Sequence, residues 1–249
     1  MSNAKHDRLK QDLDELKLNY ITEHYRELLD DAARKNTSAL DILIQLIGGQ
    51  AAARRDRALA RRVRDARLPK LKTLQEYDFE FPKRISKQKL LRLFDCQFVE
   101  TFGCGVLIGP TGVGKSHLLT ALGYCACEKG ISVRFTRAID MLNVLITAQL
   151  NGTLERKLRE YVRPQLLLLD ELGYLPIDKR GADLMFQVVA ARYEAGSIVL
   201  STNRVFKEWG HIFDVDNTLA TAMIDRLMHH GEAIVIQGES YRTKDGPKE

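Results

Sequence analysis

One stretch constrains this chain more than any other. The β-rich run Gly105-Val-Leu-Ile108 leads directly into Gly109-Pro-Thr-Gly-Val-Gly-Lys115-Ser116. That spacing, G-x-x-x-x-G-K-[ST], needs a buried strand before it and a helix after it. Four further β-rich runs stand at 132–135, 166–169, 198–201 and 233–236, and the stretches between them carry helical patterns, as at 141–150 and 182–194. Continuous apolar strands separated by helices predict a parallel sheet covered on both faces. The expectation for residues 83–249 is therefore a three-layer α/β nucleotide-binding domain with a five-stranded parallel sheet.

The glycine-rich run predicts a phosphate cradle built from Gly109, Pro110, Thr111, Gly112, Val113, Gly114, Lys115 and Ser116. Gly112 and Gly114 let backbone N–H groups turn inward where side chains would obstruct. The helix that starts here points its positive end at the same anion. Lys115 can reach β- and γ-phosphate oxygens, and the Ser116 hydroxyl can coordinate Mg²⁺. Such a loop alone does not separate ATPases, GTPases and small-molecule kinases. The apolar run 166–169 ends in Asp170-Glu171, which supplies a carboxylate for Mg²⁺ (Asp170) and a candidate general base for an attacking water (Glu171). A small-molecule kinase has no use for that base, because it would promote wasteful hydrolysis. The pair therefore favours an ATPase, with ATP and Mg²⁺ as cofactors and the kinase as the alternative from another class. The run 198–201 leads into Thr202-Asn203, placing Asn203 at a neighbouring strand tip to bond the water or the γ-phosphate.

The first 67 residues read as all-helical. Leu9, Leu13, Leu16 and Tyr20 recur at helical spacing, as do Ile21, Tyr25, Leu28 and Ala32. Ser38 and Asp41 form a capping-box start for a helix carrying Leu40, Leu43, Ile44 and Ile47, and a further helix is expected from Gln50 to about Ala66. Leu68-Pro69 ends it, and residues 68–82 form a linker that Tyr77, Phe79 and Phe81 can pin to the domain beyond. The chain's net charge of +5 is mild, but residues 54–72 hold nine basic and two acidic side chains. Arg54, Arg57, Arg61 and Arg64 make one helical stripe, flanked by Arg55 and Arg62. Guanidinium groups in a row suit successive phosphates, whereas a charged run is also an ordinary solvated helix face, here partly neutralised by Asp56 and Asp65. Residues 83–92 add five basic residues. Nothing reads as a membrane span or secretory leader, and the four cysteines lack a secreted framework's spacing, so a cytoplasmic protein is expected. Cys125 and Cys127 lie about 200° apart on a helix and suit packing, not metal. His117 and Trp209 read as packing residues.

The motifs together resemble the AAA+ ATPases, and the match narrows to the IstB-type transposition helper ATPases. It is carried by residues 109–118, by Asp170-Glu-Leu-Gly-Tyr174, and by Ser201-Thr-Asn-Arg204 with Trp209-Gly210. Asp225-Arg226-Leu-Met-His-His230, Gly238-Glu-Ser-Tyr-Arg242, the basic segment into residues 68–74, and Tyr77-Asp-Phe79 extend it. DnaC-type helicase loaders are similar over the ATPase core. The resemblance implies that Arg226 is an arginine finger reaching the γ-phosphate of an adjacent subunit, and that Arg242 is a second sensor contacting phosphate in its own subunit. It also implies a homo-oligomer on double-stranded DNA, held by non-specific backbone contacts through the helical N-terminal domain, and an integrase-type transposase as partner. A replicative-helicase loader is the nearest alternative. Seven residues follow Arg242, so no C-terminal helical lid is expected. His229 and His230 match the pattern without an assigned chemistry.

Overall fold

The computed structural model describes residues 2–213 and 217–241. The chain divides into two compact units, Met1–Arg61 and Arg62–Glu249. Three helices fill the N-terminal part: α1 (Ser2–Glu15), α2 (Asn19–Lys35) and α3 (Ala39–Ala66). In the first unit Leu13, Tyr25 and Leu46 form a small core, with Leu18, Ile21, Leu28 and Ile42 packed against it. The Ser38 cap is formed: its Oγ accepts the Asp41 N–H at 3.2 Å.

One expectation is corrected here. The segment from Gln50 is not a separate helix but the continuation of α3 through Gly48 and Gly49. Each glycine costs a helix interior about 1 kcal/mol relative to alanine. Tertiary contacts offset that cost. A Cβ on Gly49 would stand 2.1 Å from the Tyr20 ring, so the glycine admits the ring. Gln50 Oε1 accepts the backbone N–H groups of Tyr20 and Ile21 at 3.0 and 3.4 Å, serving as the N-cap that α2 lacks in its own sequence.

The second unit holds α4 (Lys87–Phe94), β1 (Cys104–Ile108), α5 (Lys115–Glu128), β2 (Val133–Arg137), α6 (Ala138–Leu150), α7 (Leu154–Val162), β3 (Leu166–Leu172), α8 (Lys179–Arg192), β4 (Ser197–Thr202), α9 (Trp209–Ile212), α10 (Asn217–His229) and β5 (Gly231–Val235). The five strands are all parallel, in the order β2-β3-β4-β1-β5. This is the expected α/β fold, a parallel sheet with helices that suits a P-loop nucleotide-binding domain. Leu166, Leu167, Leu168 and Leu169 are fully buried on alternating faces, which explains why the run carries no polar alternation. Trp209 packs, fully buried, between Phe206 and Phe213.

β3 is longer than its sequence suggested. It continues through Asp170 and Glu171 to Leu172, with one extra residue between Leu169 and Leu172 relative to β4. That bulge is possible because Glu171 adopts a left-handed backbone, φ 61°. Among the described residues, no helix is long and apolar enough to cross a membrane.

Candidate nucleotide site

The P-loop is tied to strands on both sides. Gly109 N–H donates to the Thr202 carbonyl of β4 at 3.2 Å, and the Ile108 carbonyl accepts from Ile236 N–H, just past β5, at 2.7 Å. Tyr241 N–H donates to the Gly112 carbonyl at 3.0 Å. Gly112 and Gly114 both have φ 88°, a conformation that side chains rarely adopt. A Cβ on Gly114 would stand 2.6 Å from the Tyr77 ring, and one on Gly112 would stand 2.0 Å from Ser240 Oγ. The loop thus meets the steric condition for a phosphate cradle: bare backbone, turned inward, at the start of α5.

Lys115 is only 4% exposed, and its Nζ donates to the Gly109 and Pro110 carbonyls at 2.7 and 2.8 Å. The Tyr174 hydroxyl lies 3.5 Å from the same nitrogen. Ser116 is exposed at the loop's rim. Both residues share with Thr111 and Glu171 a cavity of about 440 Å³. Its aromatic walls are Tyr77, Phe81, Tyr174 and Tyr241. Phe81 meets Tyr241 edge-on at 4.7 Å, and Phe79 meets Tyr77 at 5.1 Å. The Tyr77 hydroxyl donates to the Val113 carbonyl at 3.0 Å. Burial pushes that phenol up to about 12, so it keeps its proton and its bond at every working pH. Tyr77 and Phe81 touch Val113 and Tyr241 and wall the cavity, whereas Phe79 meets Tyr77 within its own segment. His117 packs edge-on to Tyr77, and its Nε2 lies 2.9 Å from the Thr73 carbonyl.

Both carboxylates sit at the end of β3, which β4 separates from β1. Asp170 is 5% exposed, and the Ser201 hydroxyl of β4 donates to its Oδ1. Glu171 N–H donates to Asp170 Oδ1 and to Ser201 Oγ, each at 3.1 Å. These bonds hold the bulge and bring Glu171, not Asp170, to the cavity wall. Asn203 follows Thr202, whose carbonyl receives the P-loop amide. Its Oδ1 is buried with no hydrogen-bond partner among the described residues. A hydroxyl and a carboxylate are the hard oxygen donors that suit Mg²⁺, and the loop amides with Lys115 suit phosphate oxygens, so the donor set fits a magnesium-bound nucleotide.

Of the remaining candidates, Arg226 lies apart from this cluster. Arg226 is on α10, with its guanidinium 4.8 Å above the Phe186 ring and its Nη1 donating to the Ala222 carbonyl at 3.0 Å. One turn later the His230 carbonyl accepts from Cys104 N–H at the start of β1, whereas the P-loop follows the end of β1. Five strand residues at ~3.3 Å each separate the two places. Arg242 lies outside the described residues. In the first unit Arg54, Arg55, Arg57 and Arg61 are exposed. In the second, Arg64 is exposed beside Asp65, while the half-buried Arg62 donates from Nε to the Cys127 carbonyl at 2.8 Å, closing the end of α5. Within residues 83–92, Lys83 pairs with Glu239, and Lys89 and Arg92 pair with Glu232.

Sequence reading gave no role to Ser201, Tyr174 or Tyr241. Each stands in one of the quoted motifs, but the pairings Ser201–Asp170, Tyr174–Lys115 and Tyr241–Gly112 join distant parts of the chain.

Comparison with known proteins follows the geometry. An insertion sequence IS21 ATP-binding protein of Pseudomonas aeruginosa is 38% identical over 95% of this chain and 89% of its own length. An insertion sequence IS232 ATP-binding protein of Bacillus thuringiensis is 37% identical over 98% of this chain and 97% of its own. Among solved structures, AMPPCP-bound DnaA from Aquifex aeolicus superposes with a TM-score of 0.57 at 22% identity, covering 69% of this chain and about half (51%) of that one. That likeness speaks for the fold. The family model described as IstB-like ATP binding protein matches residues 11–248, and this chain belongs to that family.

Proposed function

We propose that the chain is an ATP-hydrolysing, DNA-binding AAA+ protein that assembles on duplex DNA in the cytoplasm and regulates an integrase-type transposase in insertion-sequence transposition. One observation carries this reading: a phosphate-cradling loop shares its cavity with Glu171, a carboxylate from the end of β3, one strand beyond β4. The match to insertion-sequence ATP-binding proteins along nearly the whole chain supports the biological setting.

In this reading Mg²⁺-bound ATP supplies the phosphoryl group and the charge neutralisation of its transfer. The loop amides and Lys115 hold the phosphates, Lys115 exchanging its two loop carbonyls for phosphate oxygens. Ser116 and Asp170 hold the metal, with Asp170 oriented by Ser201. Glu171 takes the proton of the attacking water, and the bulge aims its carboxylate into the cavity. Asn203 accepts from that water through its Oδ1, which has no hydrogen-bond partner among the described residues, or donates its amide N–H to the γ-phosphate. Arg226 stands at the far end of β1 from its own P-loop, which supports a role toward the nucleotide of an adjacent subunit. Arg242 is assigned to phosphate in its own subunit. Arg54, Arg55, Arg57, Arg61 and Arg64 are assigned to DNA phosphates. Arg62 joins them only through the guanidinium N–H groups not used in its bond to the Cys127 carbonyl.

Glu171→Gln and Lys115→Ala test the chemistry. Lys115→Ala should lose nucleotide binding. Glu171→Gln should bind ATP as the unaltered chain does while turnover falls ~10²–10⁴-fold, the range for removing a general base. Normal turnover in Glu171→Gln would remove the carboxylate from the reaction. A replicative helicase captured by the ATP-bound chain, in place of a transposase, would turn the reading to a helicase loader.

A further inference from the structure

We infer that Glu194, His229 and His230 form a site for a first-row transition dication, of which Zn²⁺ is the representative. Among the described residues, these three each offer one ligand atom, and those atoms all lie within 4.8 Å of one another. The cluster is assembled by two helix ends. α8 stops at Arg192, and Glu194, two residues on, takes a left-handed backbone with φ 53°. α10 stops at His229, so His230 leaves the helical path. Consecutive helical residues point ~100° apart. Here the two imidazoles instead lie with their centroids 4.2 Å apart, tilted by 51°. His230 Nε2 stands 3.8 Å from Glu194 Oε1.

The chemistry selects the ion. Two imidazoles and one carboxylate suit Zn²⁺, Ni²⁺ or Cu²⁺ and do not suit Mg²⁺ or Ca²⁺, which take oxygen ligands. Ligands bonded to one tetrahedral zinc at ~2.0–2.1 Å stand about 3.3 Å apart. The three atoms would have to draw together by at most about 1.5 Å, from 4.8 Å. All three side chains are exposed, so rotamer changes can do this without disturbing the core. Three protein ligands leave the fourth position to water.

A supporting partner is already in place. The Tyr193 hydroxyl lies 2.9 Å from His229 Nδ1. In the tautomer whose Nδ1–H donates to that oxygen, Nε2 keeps its lone pair for a metal, and the ring is oriented as outer-shell partners orient metal-bound histidines. The end of α10 also presents its negative pole to a cation. Asp225 and Arg226, the nearest charges on α10, offset each other. An ion here would clamp the end of α8 to the end of α10, at the opposite end of β1 from the P-loop.

Isothermal titration of the full chain with ZnCl₂, after chelator treatment and in excess Mg²⁺, tests it. The expected result is one equivalent bound with micromolar affinity. His229→Ala and His230→Ala should each weaken binding at least tenfold and Glu194→Gln severalfold, while nucleotide binding, read separately at the far end of β1, stays intact. Cys125→Ser should bind Zn²⁺ as the unaltered chain does. Absence of binding below millimolar Zn²⁺ overturns the inference. So does a variant lacking both histidines that binds normally, or loss of binding in Cys125→Ser alone.

Discussion

Glu171 shows how much one backbone angle can decide. A non-glycine residue at φ 61° is uncommon, and such strain costs ~1–3 kcal/mol unless the surroundings hold it. Here Ser201 and Asp170 hold it, through the two bonds to the Glu171 amide. The sequence made Glu171 a candidate by position alone; the bulge is what separates its direction from that of Asp170. Cysteine chemistry is decided at the same scale. Cys125 and Cys96 both lie against the Phe94 carbonyl, at 3.4 and 3.5 Å. A hydrogen bond from Cys96, with Lys129 nearby, pulls the Cys125 thiol down to about 7, while that pairing and burial push Cys96 up. Burial, against the opposing charge of Arg62 and with a smaller push from Glu128, raises Cys127 to about 11. Iodoacetamide should therefore modify Cys125 with a midpoint near pH 7, well ahead of Cys127. Cys96→Ala should move that midpoint toward ~8.5, the value of a free thiol. Equal labelling of Cys125 and Cys127 across pH, read by peptide mass spectrometry, would contradict the assignment.

At the scale of elements, Arg192 is the clearest case of a residue whose role only packing reveals. In sequence it is a basic residue near the end of an amphipathic helix. In the fold it is 1% exposed and ties α8 to the starts of two strands. Its Nη1 donates to the carbonyls of Tyr161, Val162 and Pro164, and its Nη2 to those of Gln165 and Ser197, all within 2.7–2.9 Å. Desolvation lowers the guanidinium to about 10, which leaves it charged at neutral pH. Lysine carries the same charge but not the planar fork. Arg192→Lys should therefore strand several buried carbonyls and lower stability on the order of 3 kcal/mol. Urea unfolding measures this, and a loss under about 1 kcal/mol would mean that water or a shifted backbone takes over. α3 teaches the same lesson in reverse. Its double glycine weakens a helix interior, and Tyr20 against Gly49, with Gln50 capping α2, offsets that cost.

For the molecule as a whole, the question is where its positive charge is available. In segment 83–92 Lys83 pairs with Glu239, and Lys89 and Arg92 share Glu232, so two carboxylates offset part of its charge within its own unit. Arg54, Arg55, Arg57 and Arg61 remain exposed in the first unit. If they carry DNA phosphates, replacing Arg54, Arg57 and Arg61 with alanine should weaken binding equally on unrelated duplexes. The slope of log K against log salt should become shallower by about 3, close to one per phosphate contact. Anisotropy titrations at several salt concentrations measure both. An unchanged slope would move the DNA surface away from these arginines.

The sequence by itself determined the class of fold, the strand runs, the phosphate loop and the identity of the two acidic residues beside it. Those features are local: a run of apolar residues or a glycine at fixed spacing acts through its neighbours in the chain. Tertiary structure decided that α3 runs unbroken, that β3 bulges at Glu171, that Arg62 closes α5, and that Arg226 lies at the other end of β1 from the P-loop. It also brought Ser201 to Asp170, Tyr174 to Lys115, and two histidines to Glu194. Each of these depends on a contact between residues far apart in the chain, and such pairings exist only once the sheet has set its strand order and register.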